Sequence, residues 1–199
     1  YAYLAAALTG TLAVPMTGAV STDTTLRVGL TVSGASSFAT PMLENVSGEP
    51  TGYTVGTVNG TTFKSAATLT ASQLTIRLND KNAFEVCDTA SGKVLFTSAE
   101  GLEQLAIRPN SRLTWFKGYK YYGGFRYERV GGDNITVVNL IGMEDYVNCV
   151  ISQEMSDSWP LEALKAQAVA ARTYAMRKMA RPSQAHPDAD VCTDHTCCQ

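Results

Sequence analysis

Through the first half of the chain, apolar and polar residues alternate with the period of a β-strand, and past residue 160 the period becomes that of a helix. Leu26-Arg27-Val28-Gly29-Leu30 sets the strand pattern, with its polar face outward. Residues 54–78 continue it, and Asn59-Gly60 supplies a tight hairpin turn. Residues 83–86 and 93–97 read as a strand pair around Ser91-Gly92. Residues 100–105 read as a short helical connection, which puts a domain boundary near residues 100–112. Beyond it Trp115, Phe116, Tyr119, Tyr121, Tyr122, Phe125 and Tyr127 crowd together between glycines. As inward strand residues they are core; as an exposed groove they would stack on sugar rings. Residues 134–140 form a Val- and Ile-rich strand, Gly142 a turn, and residues 143–151 a short helix presenting Tyr146 and Val150 to a core.

The long helix follows Pro160. Its interior, EALKAQAVAARTYA, is made of strong helix formers. Asp157 and Ser158 are candidate N-caps, and Pro160 suits the first turn. Leu161, Leu164, Ala168, Ala171, Ala175 and Met179 recur at helical spacing and are expected to form the buried stripe. Lys165, Arg172 and Met176 fall on a neighbouring stripe and Gln167 lies at the side. The basic pair reads either as a solvated face or as part of a site. Glu154 sits between the two helices, where a carboxylate can point into a cleft. Asp157 and Glu162 read instead as helix-terminus residues, and Glu144 and Asp145 as first-turn residues of the shorter helix.

Composition adds limits. With 199 residues, 45% of them hydrophobic, the chain can build one good core or two small ones. A net charge of −2 argues against nucleic acid as a partner, since no dense basic run is visible. Residues 1–21 are Ala- and Leu-rich and end in small residues, as a secretory signal or an incomplete membrane anchor does. An extracytoplasmic location is therefore expected.

His186, Cys192 and Cys198 are evenly spaced, five residues apart, with His195 and Cys197 in the same loop. Thiolates mixed with imidazole suit Zn²⁺ in tetrahedral geometry, although the spacing is not that of a zinc finger. A disulfide from Cys192 to Cys197 or Cys198, and a Cys nucleophile with His186 or His195 as base, are the alternatives. Cys87 and Cys149 stand in apolar settings and read as buried small hydrophobes.

The stretch from Glu154 through Trp159-Pro160 into EALKAQAVAARTYA resembles the stage II sporulation protein D (SpoIID) family of peptidoglycan lytic transglycosylases and their amidase-enhancer relatives. The resemblance runs upstream through YYGGFRYERVGGDNITVVNLIGMEDYVNCVISQEM and downstream through HPDADVCTDHTCCQ. It implies an α+β fold: the signal or anchor segment, a β-rich region over residues 22–110, and a SpoIID-like catalytic region over 111–199 whose C-terminal portion continues past Gln199. It implies cleavage between N-acetylmuramic acid and N-acetylglucosamine by a single catalytic glutamate, Glu154. The C6 hydroxyl of the muramic acid is then the nucleophile, so the second carboxylate of ordinary glycosidases is not needed. Arg172, Lys165 and Gln167 become substrate-binding candidates. Met155 and Trp159 are expected to form an apolar wall that raises the Glu154 pKa. The resemblance also implies a structural zinc on His186, Cys192 and Cys198, glycan strands stripped of stem peptides as partners, and an amidase that strips them. A non-catalytic glycan-binding module that enhances the amidase is the second reading.

Overall fold

The computed structural model describes residues 24–59, 62–132, 134–181, 187–194 and 197–198. The expected targeting segment, the Gly60 turn position, His186 and His195 lie outside them. Among the described residues no helix is long and apolar enough to cross a membrane.

The chain folds as β1 (Thr25–Gly29), β2 (Ser37–Phe38), β3 (Met42–Asn45), β4 (Tyr53–Asn59), β5 (Thr62–Leu69), β6 (Gln73–Leu78), β7 (Phe84–Asp88) and β8 (Val94–Thr97). Then come β9 (Gln104–Pro109), β10 (Leu113–Phe116), β11 (Tyr119–Tyr122), β12 (Gly124–Arg129) and β13 (Ile135–Gly142), the helices α1 (Met143–Glu154) and α2 (Leu161–Ala180), and β14 (Val191–Cys192). This is the expected α+β class. One sheet has the order β14-β1-β13-β12-β9-β4-β5, with β2 also on β13; the second has the order β11-β10-β3-β6-β7-β8.

Alternation builds the larger sheet. Val55 pairs with Ile107, Ile107 with Phe125, Phe125 with Asn139, Asn139 with Val28 and Val28 with Val191. All six are buried. Asn139 is tolerated in that row because its amide donates to the carbonyls of Tyr122 (2.8 Å) and Gly124 (2.9 Å). The neighbours of this row in sequence point to the opposite face. The aromatic segment resolves as core: Phe116, Tyr121, Tyr122, Phe125 and Tyr127 are buried, and Phe116 packs edge-on against Phe38 and Tyr121.

Three expectations are corrected. Residues 100–105 are not helical: Gly101, at φ +68°, makes a turn, and residues from Gln104 onward join β9, held by β4 and β12 on either side. Sheet pairing overrides the local helical preference there. The start of α2 carries no side-chain cap; Pro160 occupies the N-cap position, while the Ser156 and Ser158 hydroxyls bond each other at 2.8 Å. On α2, Leu164, Ala171 and Ala175 are buried as expected, but Leu161 is exposed and Ala168 and Met179 only partly covered. Strands from both sides of residue 110 share the large sheet, since β4 and β9 are hydrogen-bonded into the same sheet as β12 and β13.

Candidate active site and thiol cluster

Glu154 is the last residue of α1, and Met155 closes the helix by donating its N–H to the Ile151 carbonyl at 3.0 Å. The turn that follows is tight, with the Trp159 N–H on the Ser156 carbonyl at 3.1 Å. Glu154 is exposed. The apolar wall expected around it is therefore not assembled: Met155 packs on the core, and Trp159 is 53% exposed beside the turn.

The competing carboxylates are engaged elsewhere. Glu144 accepts both Arg172 Nη2 and Nε, the closest contact being 2.7 Å. Asp145 accepts Arg112 at 3.0 Å, and Glu162 accepts Lys165 at 2.8 Å. Asp157 lies against the Ser156 hydroxyl at 3.4 Å. Among the described residues Glu154 has no ion-pair partner, which leaves its carboxyl available to an incoming group.

Arg172, one of the substrate-binding candidates, is held away from Glu154. Arg172 is largely buried by its clamp on Glu144 in the first turn of α1. Ten residues of helix separate Glu144 from Glu154, about 15 Å along the axis, so the Arg172 guanidinium holds the far end of α1. Lys165 is tied to Glu162 three residues back on the solvent side, and Gln167 is half-buried on the same helix.

Near the end of the described residues the Sγ atoms of Cys192, Cys197 and Cys198 all lie within 4.8 Å of one another, and none of the five cysteines is in a disulfide. Cys192 is buried in β14, pinned when the Thr193 N–H bonds the Gly29 carbonyl at 3.0 Å. Burial, and then the neighbouring Cys198 thiol, push the Cys192 thiol up to about 12. Cys198 is half-buried against the core, whereas Cys197 is exposed. Cys87 and Cys149 are buried, as expected of small hydrophobes. Missed at the sequence level is a set of arginines, Arg27, Arg108, Arg112 and Arg126, that line one cavity of about 770 Å³. The signal was present in part, since three of them stand at polar positions of alternating strands.

The model of the SpoIID family, described as Stage II sporulation protein, matches residues 131–199. The chain carries a SpoIID domain. It comprises β13, α1, α2 and β14, so Glu154, Arg172 and the three clustered cysteines all lie inside it. The match begins twenty residues later than the region expected from the sequence, at 131 rather than 111. An uncharacterized protein of Brachyspira hyodysenteriae (strain ATCC 49526 / WA1) is 47% identical over 79 residues, which are 39% of this chain and 21% of that protein. The chain thus matches only about a fifth of the length of this curated relative. No solved structure matches the chain.

Proposed function

We propose that the chain acts on the glycan strands of peptidoglycan outside the cytoplasm, cleaving between N-acetylmuramic acid and N-acetylglucosamine as a lytic transglycosylase. The observation that carries this reading is Glu154: an exposed carboxyl without an ion pair among the described residues, at the end of α1 inside the SpoIID domain, while Glu144, Asp145 and Glu162 are all paired. Glu154 protonates the glycosidic oxygen and then accepts the proton of the attacking C6 hydroxyl. A sugar ring seated on the exposed Trp159 face would exclude water from the carboxyl and supply the desolvation that the free protein lacks. Strands stripped of stem peptides are the substrate, and an amidase that strips them is the partner.

Zinc would be held by Cys192 and Cys198, with His186 as the expected third ligand; the convergence of three thiols fits such a soft site. The metal would order the loop after α2 and take no part in bond cleavage.

The exposure of Glu154 and Trp159 also supports the second reading, a glycan-binding module that enhances a partner amidase. Product analysis separates the two. Stripped strands incubated with the protein should yield 1,6-anhydro ends, and Glu154→Gln should lower their rate of appearance at least ~10²-fold. Binding without anhydro products would leave the module reading in place, and undiminished turnover by Glu154→Gln would remove Glu154 from the chemistry.

A further inference from the structure

One face of the large sheet carries a charge pattern that the cleavage chemistry does not use. Arg27, Arg108 and Arg126 stand next to Val28, Ile107 and Phe125 of the buried row, so alternation sends all three to the opposite face. Together with Arg112 they line the cavity of about 770 Å³. Gly124 lies between Leu140 of β13 and the Arg108 side chain and leaves that floor low; a Cβ there would sit 3.2 Å from the Ile107 carbonyl oxygen and 3.4 Å from Arg108 Cγ.

Two carboxylates share the lining. Asp190 takes Arg27 at 2.7 Å and Asp145 takes Arg112 at 3.0 Å, and Arg126 is paired with Glu128 behind the lining, which leaves one guanidinium, that of Arg108, in excess. Arg126 is buried against Glu128 and the Asp188 carbonyl, and so is not available to an incoming group. Arg108 differs from the other three. It is exposed, has no carboxylate partner among the described residues, and lies over the Phe63 ring at 4.4 Å. Stacking fixes the plane of a guanidinium while leaving its N–H edge available for a bidentate contact. A chain of net charge −2 thus concentrates four of its 16 basic residues around one cavity.

The cavity reaches α1. Asp145 lines it from the first turn, and Glu154 ends the same helix about 14 Å further on. A linear polymer lying along α1 can meet both. A glycan strand without stem peptides presents a free lactyl carboxylate on each muramic acid, whereas an intact strand has that carboxyl closed into an amide. We infer that the arginine-lined cavity is a subsite for such a carboxylate, with Arg108 as the recognising guanidinium and thus a specificity-determining residue for stripped strands. The inference rests on the glycan-strand reading proposed above.

The test is binding rather than turnover. Affinity of the 199-residue chain is measured for stripped strands and for the same strands with their lactyl carboxyls reduced to alcohols. Reduction should weaken binding about tenfold or more, Arg108→Ala should weaken binding of the unreduced strands by a similar factor and cease to distinguish the two, and Arg108→Lys should recover only part, because a point charge lacks the planar fork. Circular dichroism checks that the variants fold. Equal affinity for the two strand types, no binding of stripped strands, or an Arg108→Ala protein that discriminates like the parent would overturn the inference. So would displacement by inorganic phosphate as effective as by N-acetylmuramic acid. Carboxylate-dependent binding without anhydro products keeps the subsite and removes the catalytic reading; cleavage with indifferent binding does the reverse.

Discussion

Glu128, on β12, is buried with its carboxyl against the Arg126 guanidinium, yet burial outweighs that attraction and, with help from Asp188, raises its pKa to about 7. The folded protein therefore holds this proton more tightly than the unfolded chain, where the value is near the model-peptide ~4.3. The stabilisation is complete below that unfolded value and is lost as pH rises through 7. Relative to Glu128→Gln, which carries no titrating group, the parent should lose stability between pH 4 and pH 8, by about 4 kcal/mol at most. Chemical denaturation of both proteins at several pH values checks this, and parallel curves would contradict it. The thiols answer to the same logic. A metal must displace a proton from the Cys192 thiol, which burial keeps protonated, so uptake should weaken with acid. Elemental analysis should find about one zinc per chain, lost in Cys198→Ser and kept in Cys87→Ser. Zinc-free protein with Cys192 already oxidised would leave the cluster to the disulfide reading.

At the scale of elements, the two helices are joined at one end by the short turn after Glu154 and at the other by Arg172 on Glu144. Glu144 is about half exposed, so solvent discounts the pair, but the two-point geometry favours it over the surface contact of Lys165 with Glu162. A double-mutant cycle of Arg172→Ala with Glu144→Ala should give a coupling of about 0.5–1 kcal/mol, and Lys165→Ala should change stability by less than about 0.5 kcal/mol. Zero coupling would reduce the clamp to a coincidence of rotamers. That pair also marks where sequence reading stopped. Helical spacing placed Arg172 and Lys165 on one stripe and located both helices, because the 3.6-residue period is a local property. Which carboxylate Arg172 meets depends on how α1 packs on α2, and nothing local encodes that. The same limit produced the helix expected at 100–105. Residues from Gln104 onward are recruited by strands about fifty residues before and twenty after them. Strand alternation, by contrast, was legible from Leu26-Arg27-Val28 onward, and with it the face on which the arginines stand.

For the whole molecule, the question is how far the matched domain stands alone. Residues 131–199 contain β13, yet β13 is flanked by β12 on one side and β1 on the other, and β14 also pairs with β1 in parallel. Ile135, Val137, Val138 and Ile141 of β13 are at most 5% exposed, and the strands that share their core precede residue 131. Cutting at 131 would expose this row and leave two unpaired edges on a strand built to be central, the arrangement that invites aggregation. The helices cannot compensate, because α2 buries only Leu164, Ala171 and Ala175. A protein of residues 131–199 is therefore expected to be aggregated or unfolded, with poorly dispersed amide resonances, whereas residues 24–199 should give a cooperative unfolding transition. Adding back β1 as a separate peptide should not rescue the short form, since β12 would still be missing. A well-dispersed spectrum from residues 131–199 alone would show that the first half is an attached neighbour. The opposite result makes that half part of the sheet on which the SpoIID domain is built, and with it the arginine-lined face that Arg27 and Arg108 supply from outside the matched residues.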